Sequence, residues 1–194
     1  MNKPNILIVI CYDRDIVPAV EAAVYAIAAR HRAIRIYLSA RPIDYNRNNA
    51  VRMFLENPQY THLMFIDSDT EPPLDAMEKL IDCRAPIASG VYRLAMPSGI
   101  KWAVLDNCDG TYHLRESLPS TTDRFIADAG GAGCLLVERI VFESIGWPWF
   151  KFVERKDGRL LGEDVYFFKR ANKAGFRAVF DPSVRCIHHK TLPI

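Results

Sequence analysis

The 194-residue chain has no Cys-x-x-Cys pair. Its five cysteines stand singly at 11, 83, 108, 134 and 186, which argues against a zinc ribbon and, the number being odd, against a closed disulfide framework. Scattered thiols fit a reducing compartment, so a soluble, cytoplasmic protein is expected. No apolar run is long enough to cross a bilayer, the first (Ile6 to Ile10) being of strand length, and no signal peptide is visible. Neither sign of charge dominates: a net charge of +2 provides no bulk attraction to nucleic acid or to a membrane surface. No G-x-G-x-x-G follows the first apolar run, which disfavours a dinucleotide-dependent dehydrogenase. Cys11-Tyr12-Asp13-Arg14-Asp15 does not resemble the glycine- and lysine/arginine-rich phosphate loop of a sugar-phosphate nucleotidyltransferase. There is no internal repeat, low-complexity tract or interdomain linker.

What is present reads as one α/β domain over 1–194. Ile6 to Ile10 and Ile34 to Leu38 are β-branched runs of buried-strand type. Between them Val17, Val20, Val24 and Ile27 recur at helical spacing, giving a helix over about 16–30. Asn46 to Asn57 is expected to be helical, with Val51, Phe54 and Leu55 inward, and to stop before Pro58. Leu63 to Ile66 is a further strand. Pro73 is expected to open a helix with Leu74, Met77, Leu80 and Ile81 inward, and Ile87 to Val91 follows as a strand. This alternation predicts a parallel sheet flanked by helices on both faces over about 1–92. Over about 93–194 the rhythm becomes mixed. Lys101 to Leu105 and Thr111 to Leu114 flank Asp109-Gly110, a hairpin signal; Phe125 to Asp128 and Cys134 to Val137 are short strands. Val141 to Ile145 and Glu163 to Ala174 read as helices closed by Gly146 and Gly175, before strands at Arg177 to Phe180 and Arg185 to Ile187.

Five clusters carry candidate chemistry. Asp67-Ser68-Asp69 ends a buried strand, where open α/β sheets bind ligands. Carboxylates at i and i+2 of a strand share a face, and hard cations such as Mg²⁺ or Mn²⁺ take oxygen ligands together with substrate phosphates; the same letters also make an ordinary turn. Glu163 and Asp164 stand at a helix start, as caps stabilised by the helix dipole or with one of them as a general base that stays ionised at neutral pH. Gly130-Gly131-Ala132-Gly133 has no P-loop lysine; it is either a loop needing positive φ or a place where a substrate meets the backbone. His188-His189 ends a strand, so that only one imidazole can face the carboxylates. Arg47, in Asn46-Arg47-Asn48-Asn49, would meet a phosphate or a base, or simply be solvated.

Taken together, Asp67-Ser68-Asp69, the Gly130–Gly133 loop, Gly162-Glu163-Asp164 and His188 stand in the order found in GT-A fold glycosyltransferases, and the chain resembles the family 2-like members. Gly162 to Arg170, Lys173 to Arg177, Phe180-Asp181-Pro182-Ser183 and His188 are similar to that family's C-terminal signature, and Gly133 to Val137 with Phe142 and Trp147-Pro148-Trp149-Phe150 to its acceptor-side segment. The resemblance covers about residues 5–189. It implies a GT-A fold with a mostly parallel central sheet and a small antiparallel portion. It also implies a metal-dependent, inverting transfer from a UDP- or GDP-sugar to a glycan or other hydroxyl acceptor. Asp69 and His188 would hold Mn²⁺ or Mg²⁺, with His189 as the substitute for His188. Asp67 would serve the ribose or the metal, with Ser68 and Gly131 beside the donor. Asp13 would approach the nucleobase or ribose, and Arg47 the nucleotide. Asp164 would be the base, with Glu163 supporting it. The short segment after Asp69 leaves an open acceptor side, which a second subunit could complete. A non-catalytic nucleotide-sugar or glycan-binding module is one competing expectation and a sugar-phosphate nucleotidyltransferase the other.

Overall fold

A computed structural model describes residues 4–155 and 157–189. Strand β1 (Ile6–Tyr12) alternates strictly: Ile6, Ile8 and Ile10 enter one apolar cluster, Leu7, Val9 and Cys11 another. A strand buried on both faces sits inside a sheet. Helix α1 (Pro18–His31) packs Val20, Val24 and Ile27 on the first of these faces. β2 (Ile34–Ser39) pairs in parallel with β1. Helix α2 (Ile43–Glu56) places Ala50, Val51 and Phe54 on the other face. It begins three residues before the expected Asn46, because Pro42, with φ −76°, sets the chain direction at its start.

β3 (His62–Asp67) is the carboxylate strand, followed after a two-residue turn by the short β4 (Thr70–Glu71). Helix α3 (Ala76–Asp82) starts later than Pro73: the Ala76 N–H donates to the Pro73 carbonyl at 2.9 Å, closing a turn first. Leu74 therefore lies outside the helix and is 49% exposed, not inward. β5 (Ile87–Val91) follows.

The second half departs from the expected hairpin. β6 (Arg93–Met96) pairs with β7 (Gly99–Trp102), and β8 (Val104–Cys108) with β9 (Thr111–Leu114). Lys101 and Trp102 thus belong to a separate hairpin. Asp109 and Gly110 do form the β8–β9 turn, both at positive φ (48° and 82°), as a primed two-residue turn requires. β10 (Phe125–Ala127), β11 (Ala129–Gly130), β12 (Cys134–Glu138), α4 (Arg139–Ile145), β13 (Val153–Glu154), β14 (Leu160–Leu161) and α5 (Glu163–Lys173) follow. The chain's last described elements are a single long β15 (Ala178–Arg185), in place of a strand confined to 177–180, and β16 (Ile187–His188).

The central sheet has seven strands in the order β10-β15-β5-β12-β3-β1-β2. Five run the same way; β10 and β12 run against them. β12 inserts between β3 and β5, so the alternating first half is not a run of adjacent parallel neighbours. Helices α2, α4 and α5 cover one face and α1 and α3 the other. Phe54, Phe65, Phe142, Phe150, Phe167 and Phe168 fill the first of these, several in stacked or edge-on pairs. No described helix is long and apolar enough to cross a membrane.

Candidate functional site

The carboxylate strand ends where the expectation placed it, and α1 braces its turn: the Val17 N–H donates to the Ser68 carbonyl at 2.9 Å. The strand stops at Asp67 and the chain turns at Ser68, so the two carboxylates do not stand at i and i+2 of one strand, though the Asp69 charge is among those that raise the Asp67 carboxyl. Each carboxylate has its own partner. Arg47 donates from Nη2 to Asp67 Oδ1 at 2.8 Å and from Nε to Glu163 at 3.1 Å. Arg47 is therefore not solvated; it is 3% exposed, inside α2 rather than ahead of it, and over the rings of Phe65 and Phe150. Its Nη1 is buried with no protein acceptor among the described residues. Burial lifts the Asp67 carboxyl above its ordinary value, with Arg47 opposing, and the two acids raise the Arg47 guanidinium against its own burial cost.

Asp69 meets His188, 119 positions later in the chain. β16 pairs antiparallel with β4, His188 opposite Thr70, and the His189 N–H donates to the Asp69 carbonyl at 2.7 Å. This small ladder sets His188 Nε2 at 3.3 Å from Asp69 Oδ2, while His189 turns to Glu71 at 2.7 Å. The imidazoles thus take different acids, as alternation along a strand requires. Burial acts to raise the Asp69 carboxyl, but the His188 hydrogen bond and charge, with backbone and Thr70 donors, hold it below its ordinary value. Among the described residues no three His, Cys, Asp or Glu side chains converge as a ready metal cage.

Asp164 stands in the first turn of α5, its Oδ1 accepting the Val165 N–H at 2.7 Å. A helix start ordinarily favours the charged carboxylate. Here burial, and next the neighbouring Glu163 charge, push Asp164 up to about 7 in spite of Arg47. Asp13 lies apart from this group, exposed and ion-paired with Arg41 beside a cavity of about 570 Å³ lined also by Ala40, Pro42, Ile43 and Phe152.

The glycine loop is explained by close packing, not by positive φ, which none of Gly130, Gly131 and Gly133 adopts. A Cβ on Gly131 would run into the Tyr92 hydroxyl; one on Gly133 would lie 2.8 Å from Thr70 Oγ1; one on Gly130 would strike the Phe180 ring. Tyr92, with its ring centre 5.4 Å from that of His188 and its hydroxyl accepting the Gly133 N–H at 3.3 Å, ties the loop to the histidine strand. Nothing in the sequence singled out Tyr92. Asn46 and Asn48 had a usable signal: with Arg47 they stand one turn before the buried stripe Ala50–Val51–Phe54, so polar side chains point at the core. Asn46 donates to the Leu38 and Ala40 carbonyls at the end of β2 (3.1 and 3.0 Å), and Asn48 accepts from the Trp149 and Phe150 N–H groups (3.0 and 3.1 Å).

No protein-family model matches the chain, and no curated protein does. Solved structures do. The chain is similar to GalNAc-T7, crystallised with UDP, GalNAc and Mn²⁺, at TM-score 0.69 and 11% identity over 98% of this chain. The fold is GT-A. The chain spans 45% of the GalNAc-T7 chain and so matches part of it. A second likeness, to A197 from STIV, covers 98% of this chain and 96% of that one at TM-score 0.62 and 18% identity. At such identities the likeness establishes the GT-A architecture alone.

Proposed function

We propose that the chain is a metal-dependent glycosyltransferase that moves a sugar from a nucleoside-diphosphate sugar to an acceptor hydroxyl with inversion. The observation that carries this reading is the meeting of Asp69 and His188 on the β4–β16 ladder, with the Asp67–Arg47–Glu163 network and Asp164 nearby in the fold. Asp69 and His188 would hold the divalent cation through one carboxylate and one imidazole. A cation held there would supply charge neutralisation for the leaving diphosphate. Asp67 serves the donor's ribose or the cation, with Ser68 and Gly131 bordering the donor. The partnerless Nη1 of Arg47 is a buried donor suited to an anionic or hydroxyl oxygen. Asp13, beside its cavity, takes the nucleobase or ribose end.

Asp164 accepts the proton of the acceptor hydroxyl as its oxygen bonds to the anomeric carbon, and the bond to the diphosphate breaks on the opposite face. A base with its pKa near neutrality is matched to this work. Glu163 holds Arg47 and raises Asp164. Calorimetry with UDP and GDP tests the donor half: binding strengthened by Mn²⁺ in the native chain and indifferent to it in Asp69→Ala supports the reading. Nucleotide binding that is absent, or equally metal-dependent in the variant, overturns it. A binding module without catalysis would show the same nucleotide binding with no transfer.

A further inference from the structure

Between the β6–β7 hairpin and the end of β15 through β16 is a cavity of about 300 Å³ lined by Arg93, Trp102, Arg185, Cys186, Ile187 and His188. The Arg93 and Arg185 guanidinium carbons lie 4.9 and 5.2 Å from the centre of the buried Trp102 ring. The two cations are thus no more than about 10 Å apart, close enough to repel each other where salt is dilute. Neither forms an ion pair among the described residues, and the nearby acids Asp69 and Glu71 are taken by His188 and His189. An aromatic ring that holds two exposed arginines without neutralising them presents a pair of planar, bidentate donors to one opening. Register puts Arg93 opposite Trp102 and Ala95 opposite Ile100, so all four share one face of the β6–β7 hairpin, where Ile100 is exposed.

We propose that this cavity binds a phosphomonoester carried by the acceptor, Arg93 and Arg185 clamping its phosphoryl oxygens and holding the acceptor beside the Asp69–His188 centre. The phosphate is a handle; the reacting hydroxyl lies elsewhere on the acceptor. This rests on the transferase reading for the word acceptor, but the anion site stands or falls separately. Phenyl phosphate, farnesyl phosphate and their uncharged alcohols, phenol and farnesol, are titrated into the native chain in EDTA without nucleotide. At least one phosphate is expected to bind tenfold or more tightly than its alcohol. Arg93→Gln/Arg185→Gln is expected to lose tenfold or more of that affinity, and the paired lysine replacement to retain part of it. UDP binding with Mn²⁺ should be unchanged in both. Preference for farnesyl phosphate assigns a lipid-borne phosphate; equal binding of both phosphates, or preference for phenyl phosphate, assigns a soluble one. No preference for phosphate over alcohol, or unaltered binding in the glutamine variant, overturns the proposal. So does loss of UDP in that variant, which would assign the arginines to the donor. If UDP with Mn²⁺ fails to bind the native chain while phosphate binds through the arginines, the donor reading fails and the anion site remains.

Discussion

Asp164 sits at a helix start that would keep an isolated carboxylate ionised, yet its surroundings push it from 3.8 to about 7. Activity is therefore expected to rise with pH through about 7 and level off above it, since only the ionised form accepts a proton. Asp164→Asn should lose on the order of 10²–10⁴ in transfer rate, together with that limb of the profile, while keeping nucleotide binding. Stability supplies an independent reading. A carboxyl whose folded pKa is raised contributes its full stability below the unfolded pKa and loses it as pH rises through the folded one. The native chain should thus melt below Asp164→Asn at pH 8, and the gap should close towards pH 4. A variant that transfers normally would remove Asp164 from the role of base, and a melting gap between native and variant that is the same at pH 8 and pH 4 would show that burial does not raise this carboxyl. Arg47 behaves oppositely: Arg47→Ala strands Asp67 and Glu163 without their counter-charge and is expected to cost about 3–5 kcal/mol in denaturant unfolding. These acids were legible as residue types at strand and helix ends. The sequence leaves Arg47 open between a ligand contact and a solvated side chain because its neighbours are polar, although its alignment one turn before Val51 points inward.

At the scale of elements, periodicity located strands far better than it ordered them. The continuous apolar run Ile6 to Ile10 announces a strand buried on both faces, and the structure uses it so. Nothing in Cys134 to Val137 says that the strand will run antiparallel between β3 and β5, because neighbours are chosen by packing between distant segments. The Gly130–Gly133 loop shows the same limit: the sequence marks a place where side chains are excluded, and the structure identifies the Tyr92 hydroxyl, Thr70 and Phe180 as what excludes them. Gly131→Ala should consequently destabilise by about 1–3 kcal/mol or more, as overpacking of a closed site does. Tyr92→Phe in the same chain should return part of the loss, because it removes the hydroxyl nearest the added methyl. Strict additivity of the two changes in a double-mutant cycle would show that the two residues do not press on each other.

Over the whole molecule, the site is assembled by pairing segments that the chain keeps far apart: α2 brings Arg47 to β3 and α5, and β16 closes on β4 after the sheet is complete. A ligand bridging these segments binds only the folded chain, so its affinity becomes stability. At a hundredfold excess over Kd the gain is about 2.7 kcal/mol. A domain of this size moves by roughly 2–4 °C per kcal/mol, so UDP with Mn²⁺ should raise the melting temperature by about 5–10 °C. His188→Ala should hold the fold, as the ladder is made by backbone, and should cut the shift to that of UDP in EDTA. His189→Ala should leave it intact, because His189 faces Glu71 rather than Asp69. The reverse outcome, a shift lost with His189 and kept without His188, would exchange the roles of the imidazoles. A shift of equal size in EDTA and in Mn²⁺ would leave a nucleotide site in which the Asp69–His188 contact is only a strut between two short strands.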